Sequence, residues 1–178
     1  MSDNEVSAAL ESGRAFVDLS SWRKIDVSGR DALSWLSHIG AADVTDLAPG
    51  GSRPTRIRSD RGIAADVTVS LAGGNVLVIQ DPEQSPSVAE ALSGLIETFD
   101  VALDDRTEAL TLFSFPGASR APDVAGTAFA APSCLGAGID IFALAEDHGY
   151  LLGSLRHGFK LVPLADARAW LDLSSSNS

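Results

Sequence analysis

The sequence is short of sulfur, of basic residues and of long apolar runs, and each shortage removes a class of function. Cys134 is the only cysteine among 178 residues, so no internal disulfide can form and no thiolate cluster can hold zinc or iron–sulfur. Lysine and arginine number 13 against 24 acidic residues, giving a formal charge of −11 and a pI near 4.5. Such a chain repels a phosphate backbone, and nucleic acid is not an expected partner. The densest basic stretch, Arg53, Arg56, Arg58 and Arg61, lies along an extended segment and reads as a solvated strand face. No apolar run approaches the ~20 residues that a membrane helix needs, so no membrane partner is expected either. The opening MSDNEVSAAL has no basic n-region and no apolar h-region; no signal peptide is expected, and the expected localisation is cytoplasmic. His38, His148 and His157 share no metal-ligand spacing with other donors, so no metal is expected. A Ser-His-Asp order, a P-loop and a dinucleotide fingerprint are all missing.

What is present is a chain that can build a core, with 45% hydrophobic residues. Residues 1–14 and 174–178 are polar without a strong pattern and are expected to be flexible tails. A strand is expected at Arg23–Val27. A helix follows, with Ala32, Leu33, Trp35, Leu36 and Ile39 on one face and Gly40 placed to stop it. Strands at 56–59, 65–71 and 76–80 are separated by SDRG and AGGN, whose Gly62, Gly73 and Gly74 supply the positive φ of tight turns. A second helix is expected from about Pro86 to Phe99. Its cap is either Ser85, with Pro86 in the first turn, or Ser87, which stands at capping-box spacing from Glu90. Strands at 101–103 and 109–115 precede a long loop at 117–133. Then come the alternating strand GIDIFAL, a helix near Tyr150–Arg156, the strand FKLVPL and the helix ADARAWLDL. Antiparallel strand clusters with helices packed on them give an α+β fold class.

The stretch FVDLSSWRKIDVSGRDALSWLSHIGAADVTDLAPGG resembles the N-terminal part of the glycine-cleavage T-protein (aminomethyltransferase) superfamily. Asp18, Ser20, Val27, Gly29, Asp31, Ala32, Leu36, Asp43, Val44, Leu47 and Gly50 follow its pattern. RGIAADVTV and NVLVIQ continue the likeness, and GIDI and LADARAWLDL extend it thinly toward residue 173. The resemblance implies two pseudo-symmetric subdomains, here 15–107 and a shortened 108–173, without the C-terminal barrel of full-length members. It also implies a folate-type cofactor, suspected to be tetrahydrofolate.

Carried over residue by residue, the family's first site carboxylate falls on Ala65, with Asp66 beside it. Successive strand residues face opposite ways, so Asp66 does not replace a carboxylate at 65 unless a bulge intervenes. Asp66 is the one catalytic candidate; the alternative is a solvent-facing strand residue. Gln80 stands where an amide would meet a pterin edge, and Asp140 where a carboxylate would pair with the pterin's N–H groups. Trp22, Arg53 and Arg168 complete the expected cofactor contacts, with a buried core role open for Trp22 and a surface ion pair for Arg168. The expected function is folate binding in one-carbon metabolism without full transfer activity. The alternative is a non-catalytic subunit or interaction partner of a folate-dependent flavoenzyme, since the chain is also similar to the small gamma subunit of sarcosine oxidase. A homo-oligomer is the other expected assembly.

Overall fold

Period-two alternation of apolar residues generates two antiparallel-rich sheets, and short amphipathic helices cover them. The computed structural model describes residues 3–59, 62, 64–92 and 98–176. The elements run α1 (Asp3–Glu11), β1 (Ala15–Asp18), β2 (Arg23–Ser28), α2 (Ala32–Ile39), β3 (Ser52–Arg58), β4 (Ala64–Ala72), β5 (Asn75–Gln80), α3 (Val88–Leu92) and β6 (Ala102–Asp105). They continue with β7 (Leu110–Phe115), β8 (Phe129–Pro132), β9 (Ile139–Leu144), α4 (His148–Leu155), β10 (Lys160–Leu161) and α5 (Leu164–Ser176). The chain divides into two units, Ser21–Glu108 and the discontinuous pair Met1–Ser20 with Ala109–Ser178.

The unit Ser21–Glu108 is built on the sheet β3-β4-β5-β2-β6. Its strands pair antiparallel, with Ile57 opposite Ala65, Val69 opposite Val78 and Ile25 opposite Val78. These residues share one sheet face, which packs on Trp35 and Leu36 of α2 and on Val88 and Leu92 of α3. Trp35 and Leu36 are wholly buried. Burying each such side chain contributes about 1.5–3 kcal/mol before entropy is counted. The expected helix after Pro86 is seen at Val88–Leu92; residues 93–97, like Arg61, lie outside the described residues. Its start follows the second of the two cap readings. Ser87 N–H meets Glu90 Oε2 at 2.9 Å, and Glu90 N–H meets Ser87 Oγ at 3.3 Å.

The other unit carries the sheet β10-β1-β7-β9-β8, in which β1 runs parallel to β10 and antiparallel to β7. Phe16, Phe113, Phe115 and Ile141 form its core with Leu151 and Leu155 of α4. Phe16 stacks on Phe115 at 5.7 Å and meets Phe113 edge-on at 5.9 Å.

Four expectations need correction. The N-terminal tail 1–14 is instead helical over Asp3–Glu11 and buries Val6 and Leu10, so an apolar pair hidden in a polar stretch anchors it. The C-terminal helix runs through Ser176, into the expected tail 174–178. Its serines bond back to carbonyls four residues earlier, as Ser174 does to Trp170 and Ser175 to Leu171. The loop 117–133 contains β8, whose pairing with β9 supplies hydrogen bonds that its small side chains did not advertise. Finally, the halves are not consecutive at 15–107 and 108–173: β1 bonds to β7, with Val17 opposite Ser114, and so belongs with the later residues.

Candidate functional site

Strand geometry decides the Ala65–Asp66 question. Ala65 points into the apolar core at 2% exposure, across from Ile57. Asp66 points the other way and lies directly opposite Arg56. The guanidinium grips it at both oxygens, Nε to Oδ1 at 2.7 Å and Nη2 to Oδ2 at 2.8 Å. That hydrogen bonding holds the Asp66 carboxyl below its ordinary range and keeps it ionised. The arrangement is a half-exposed cross-strand ion pair, without the bulge that would turn Asp66 toward the position of 65.

The remaining expected contacts in this unit are engaged in structure. Gln80 is buried at the end of β5. Its Oε1 accepts the Val88 N–H at 2.7 Å and the Arg23 guanidinium at 2.8 Å, while Nε2 donates to the Pro86 carbonyl at 3.0 Å. It therefore caps α3 and fastens the loop before it. Arg53 bonds the Asp43 carbonyl and reaches Asp46 Oδ1 at 2.5 Å, bracing the turn after α2. Trp22 is buried, and its carbonyl accepts the Lys24 ammonium at 2.6 Å. By register, Arg53, Ala65 and Gln80 lie on the helix-packed face and Asp66 on the other, so the four do not converge.

In the other unit Asp140 is buried on β9, opposite Ser114 on one side and Ala131 on the other. Oδ2 accepts the Cys134 N–H at 2.9 Å. Burial pushes this carboxyl's pKa up, against hydrogen bonding from Ser114, Cys134 and Ser133. Oδ1 is buried without a hydrogen-bond partner. Arg168 sits exposed on α5.

Polar groups not expected to meet one another form a second cluster in this unit. Asp18 Oδ1 accepts Ser20 N–H at 3.0 Å and Ser20 Oγ–H at 2.6 Å, and Oδ2 meets His148 Nε2 at 2.8 Å. The His148 ring stacks on Phe113 at 5.4 Å. Burial raises the Asp18 pKa, but the hydrogen bonds from Ser20 and His148 outweigh it and the net shift is downward. The Asp-x-Ser turn is legible in sequence; its partner is 130 residues away and is not. Lys24, wholly buried on β2, was likewise hidden, because strand alternation alone would place a lysine in water.

Position 65 is an alanine in the core, and the neighbouring carboxylate is neutralised by Arg56. Among the described residues, Asp26 Oδ1, Ser70 Oγ, Thr127 Oγ1 and Asp140 Oδ1 are buried without a hydrogen-bond partner.

Comparison with known proteins agrees with this architecture. The family described as "GCVT N-terminal domain" matches residues 2–131. The aminomethyltransferase of Corynebacterium jeikeium is 24% identical over 147 residues, which cover 80% of this chain and 38% of that one. The aminomethyltransferase of Corynebacterium aurimucosum is 29% identical over 119 residues, covering 65% of this chain and 32% of that one. In structure, the glycine cleavage system aminomethyltransferase T from Bartonella henselae superposes with a TM-score of 0.66 at 18% identity, over 91% of this chain and 52% of that one. A chain of the heterotetrameric sarcosine oxidase from Corynebacterium sp. U-96 superposes with a TM-score of 0.50 at 12% identity, over 90% of this chain and 95% of that one. The chain thus spans about a third to a half of the aminomethyltransferases it matches, and it belongs to the GCVT N-terminal domain family.

Proposed function

We propose that this chain is a GCVT-domain protein that does not itself transfer aminomethyl groups and serves as a subunit of a larger, flavin-containing oxidase assembly. The observation that carries the reading is the near end-to-end correspondence, 90% against 95%, with one chain of a heterotetrameric sarcosine oxidase. The Bartonella henselae aminomethyltransferase, by comparison, is matched over 52% of its own length. The loss of a usable carboxylate at 65 and 66 supports the same conclusion, since a subunit need not keep the transfer acid. Affinity purification of the tagged chain from its own cells tests it. The expected eluate contains a stoichiometric partner with a flavin spectrum. A chain that elutes alone, monodisperse and colourless, refutes the assignment.

Asp140 Oδ1 favours a second reading, in which the chain also binds the heterocycle of a reduced folate. A buried acceptor without a donor costs about 1–3 kcal/mol, a cost that a ligand N–H would relieve. Calorimetry with folinic acid should give heat that Asp140→Asn abolishes. No heat at high ligand concentration would remove this reading and leave the subunit assignment standing.

A further inference from the structure

Among the described residues, β6 is an outer strand of the sheet β3-β4-β5-β2-β6, with β2 on its inner side. Backbone phase decides what its other side offers. Arg106 N–H bonds the Lys24 carbonyl at 2.8 Å. Asp104 and Ala102, opposite Asp26 and Ser28, keep that phase and turn their backbone groups toward β2. The N–H and carbonyl groups of Leu103 and Asp105 therefore point out of the sheet, and no hydrogen bond reaches them from any described residue. The strand is also held in place. Asp31 N–H bonds the Asp100 carbonyl at 3.2 Å, Asp100 N–H bonds Asp31 Oδ2 at 2.9 Å, and a Cβ on Gly29 would lie 2.1 Å from that carbonyl oxygen. A fixed edge loses little entropy when another strand adds to it.

Beside this edge, on the helix-packed face, lies a cleft of about 620 Å³. Ile25, Pro82 and Ala89 give it apolar walls, and Asp105 and Glu108 bring carboxylates to it. Asp105 Oδ1 accepts the Thr107 N–H at 2.9 Å. Neither carboxylate joins an ion pair among the described residues. Arg23 also lines the cleft, but its Nη1 and Nη2 are held by Gln80 Oε1 and by the Gln84 and Pro82 carbonyls. On the opposite face the cross-strand pair Asp26–Asp104 already has a cation in Arg106, which bonds Asp104 Oδ2 at 3.3 Å.

We propose that β6 accepts an extended, basic segment of a partner chain as an added strand, with an arginine or lysine of that segment seated in the cleft at Asp105 and Glu108. The outward groups of Leu103 and Asp105 supply the ladder. The apolar walls take the methylene stem of the basic side chain, and the two carboxylates take its charge. Every second side chain of an added strand faces the cleft, so backbone pairing and charge act together. A second copy of this chain fits poorly. Two β6 strands side by side would set Asp104 and Asp105 against the same acids, on chains that each carry a formal charge of −11. The inference is independent of the flavin-subunit assignment and of the folate reading, because the edge is assayed with a peptide alone.

The probe is a short capped peptide of alternating valine and threonine with one central arginine, titrated into the full isotope-labelled chain at low salt and followed by amide NMR. The Leu103 and Asp105 amides should shift most, and a peptide with glutamate for arginine should leave them still. Asp105→Asn combined with Glu108→Gln keeps the oxygen that accepts the Thr107 N–H and should weaken binding at least about fivefold. Methylating every second peptide nitrogen should abolish binding in one frame and spare it in the other, as a strand ladder requires. Equal binding of the two methylated frames overturns the proposal, as does an arginine peptide that leaves β6 unshifted at millimolar concentration. Concentration-dependent shifts at the same amides without peptide would give the edge to a second copy and overturn it too.

Discussion

A buried carboxyl that prefers its proton makes a definite statement about pH. The pKa of Asp140 is raised in the folded chain, chiefly by desolvation. Folding therefore favours the protonated form. That stabilisation is fully present below the unfolded-state pKa, near 3.8 for aspartate, and is lost as pH climbs toward the folded value. Asparagine keeps an oxygen for the Cys134 N–H and carries no charge at any pH. Asp140→Asn should match the wild type in acid and become progressively more stable than it as pH rises to neutrality. Thermal melts across that range would show it. A variant that melts lower than the wild type at neutral pH would mean that the ionised carboxylate stabilises the fold. Asp18 carries the opposite sign: its pKa is lowered, so its bonds to Ser20 and His148 stabilise at neutral pH and fade in acid.

Elements here depend on a few contacts that side-chain type only partly reveals. The start of α3 is fixed from β5, because Gln80 accepts the Val88 N–H and donates to the Pro86 carbonyl. Gln80→Ala leaves that buried N–H without its partner and should cost about 1–2 kcal/mol, readable as a lower urea midpoint with an unchanged slope. If stability is unaffected, the amide is available for another role and the cap is incidental. Helix α1 is tied in differently: a Cβ on Gly117 would lie 1.7 Å from the Leu10 carbonyl oxygen. Gly117→Ala must push α1 off the chain following β7 and should destabilise by about 1–3 kcal/mol. Protease cleavage within residues 3–11 should accelerate in step. Both effects mark what the sequence could and could not tell. The β2–α2 segment and the β3-β4-β5 meander were readable, because periodicity and glycine turns are local signals. α1 and β8 were not: Val6 and Leu10 in a polar stretch, and FAAP among small residues, acquire structure only from distant partners. The site was less legible still. Residue matching singled out Gln80, Arg53 and Asp66 on β5, β3 and β4, but not Arg56, Val88 and Asp46, which engage them.

For the whole molecule, charge is the property that bears most directly on assembly. A net charge of −11 in 178 residues makes copies of the chain repel, which opposes homo-oligomers held by polar contacts. The described ion pairs, among them Arg53–Asp46, Arg56–Asp66 and Arg106–Asp104, tie arginines to local carboxylates and leave the acidic excess outward. On the proposed subunit reading, a chain of this charge is steered toward partners with a basic docking face. Encounter then gains from long-range attraction, while the apolar centre of the interface sets how slowly the complex separates. Raising salt from about 0.01 M to 0.15 M shortens the Debye length from about 30 Å to about 8 Å. If the proposed flavin-bearing partner exists, the association rate with it should fall several-fold over that interval, with little change in dissociation. Surface-plasmon measurements on the purified pair separate the two rates. An association rate indifferent to salt would show that the acidic surface faces solvent in the complex, and would place the interface on whatever neutral surface the chain presents.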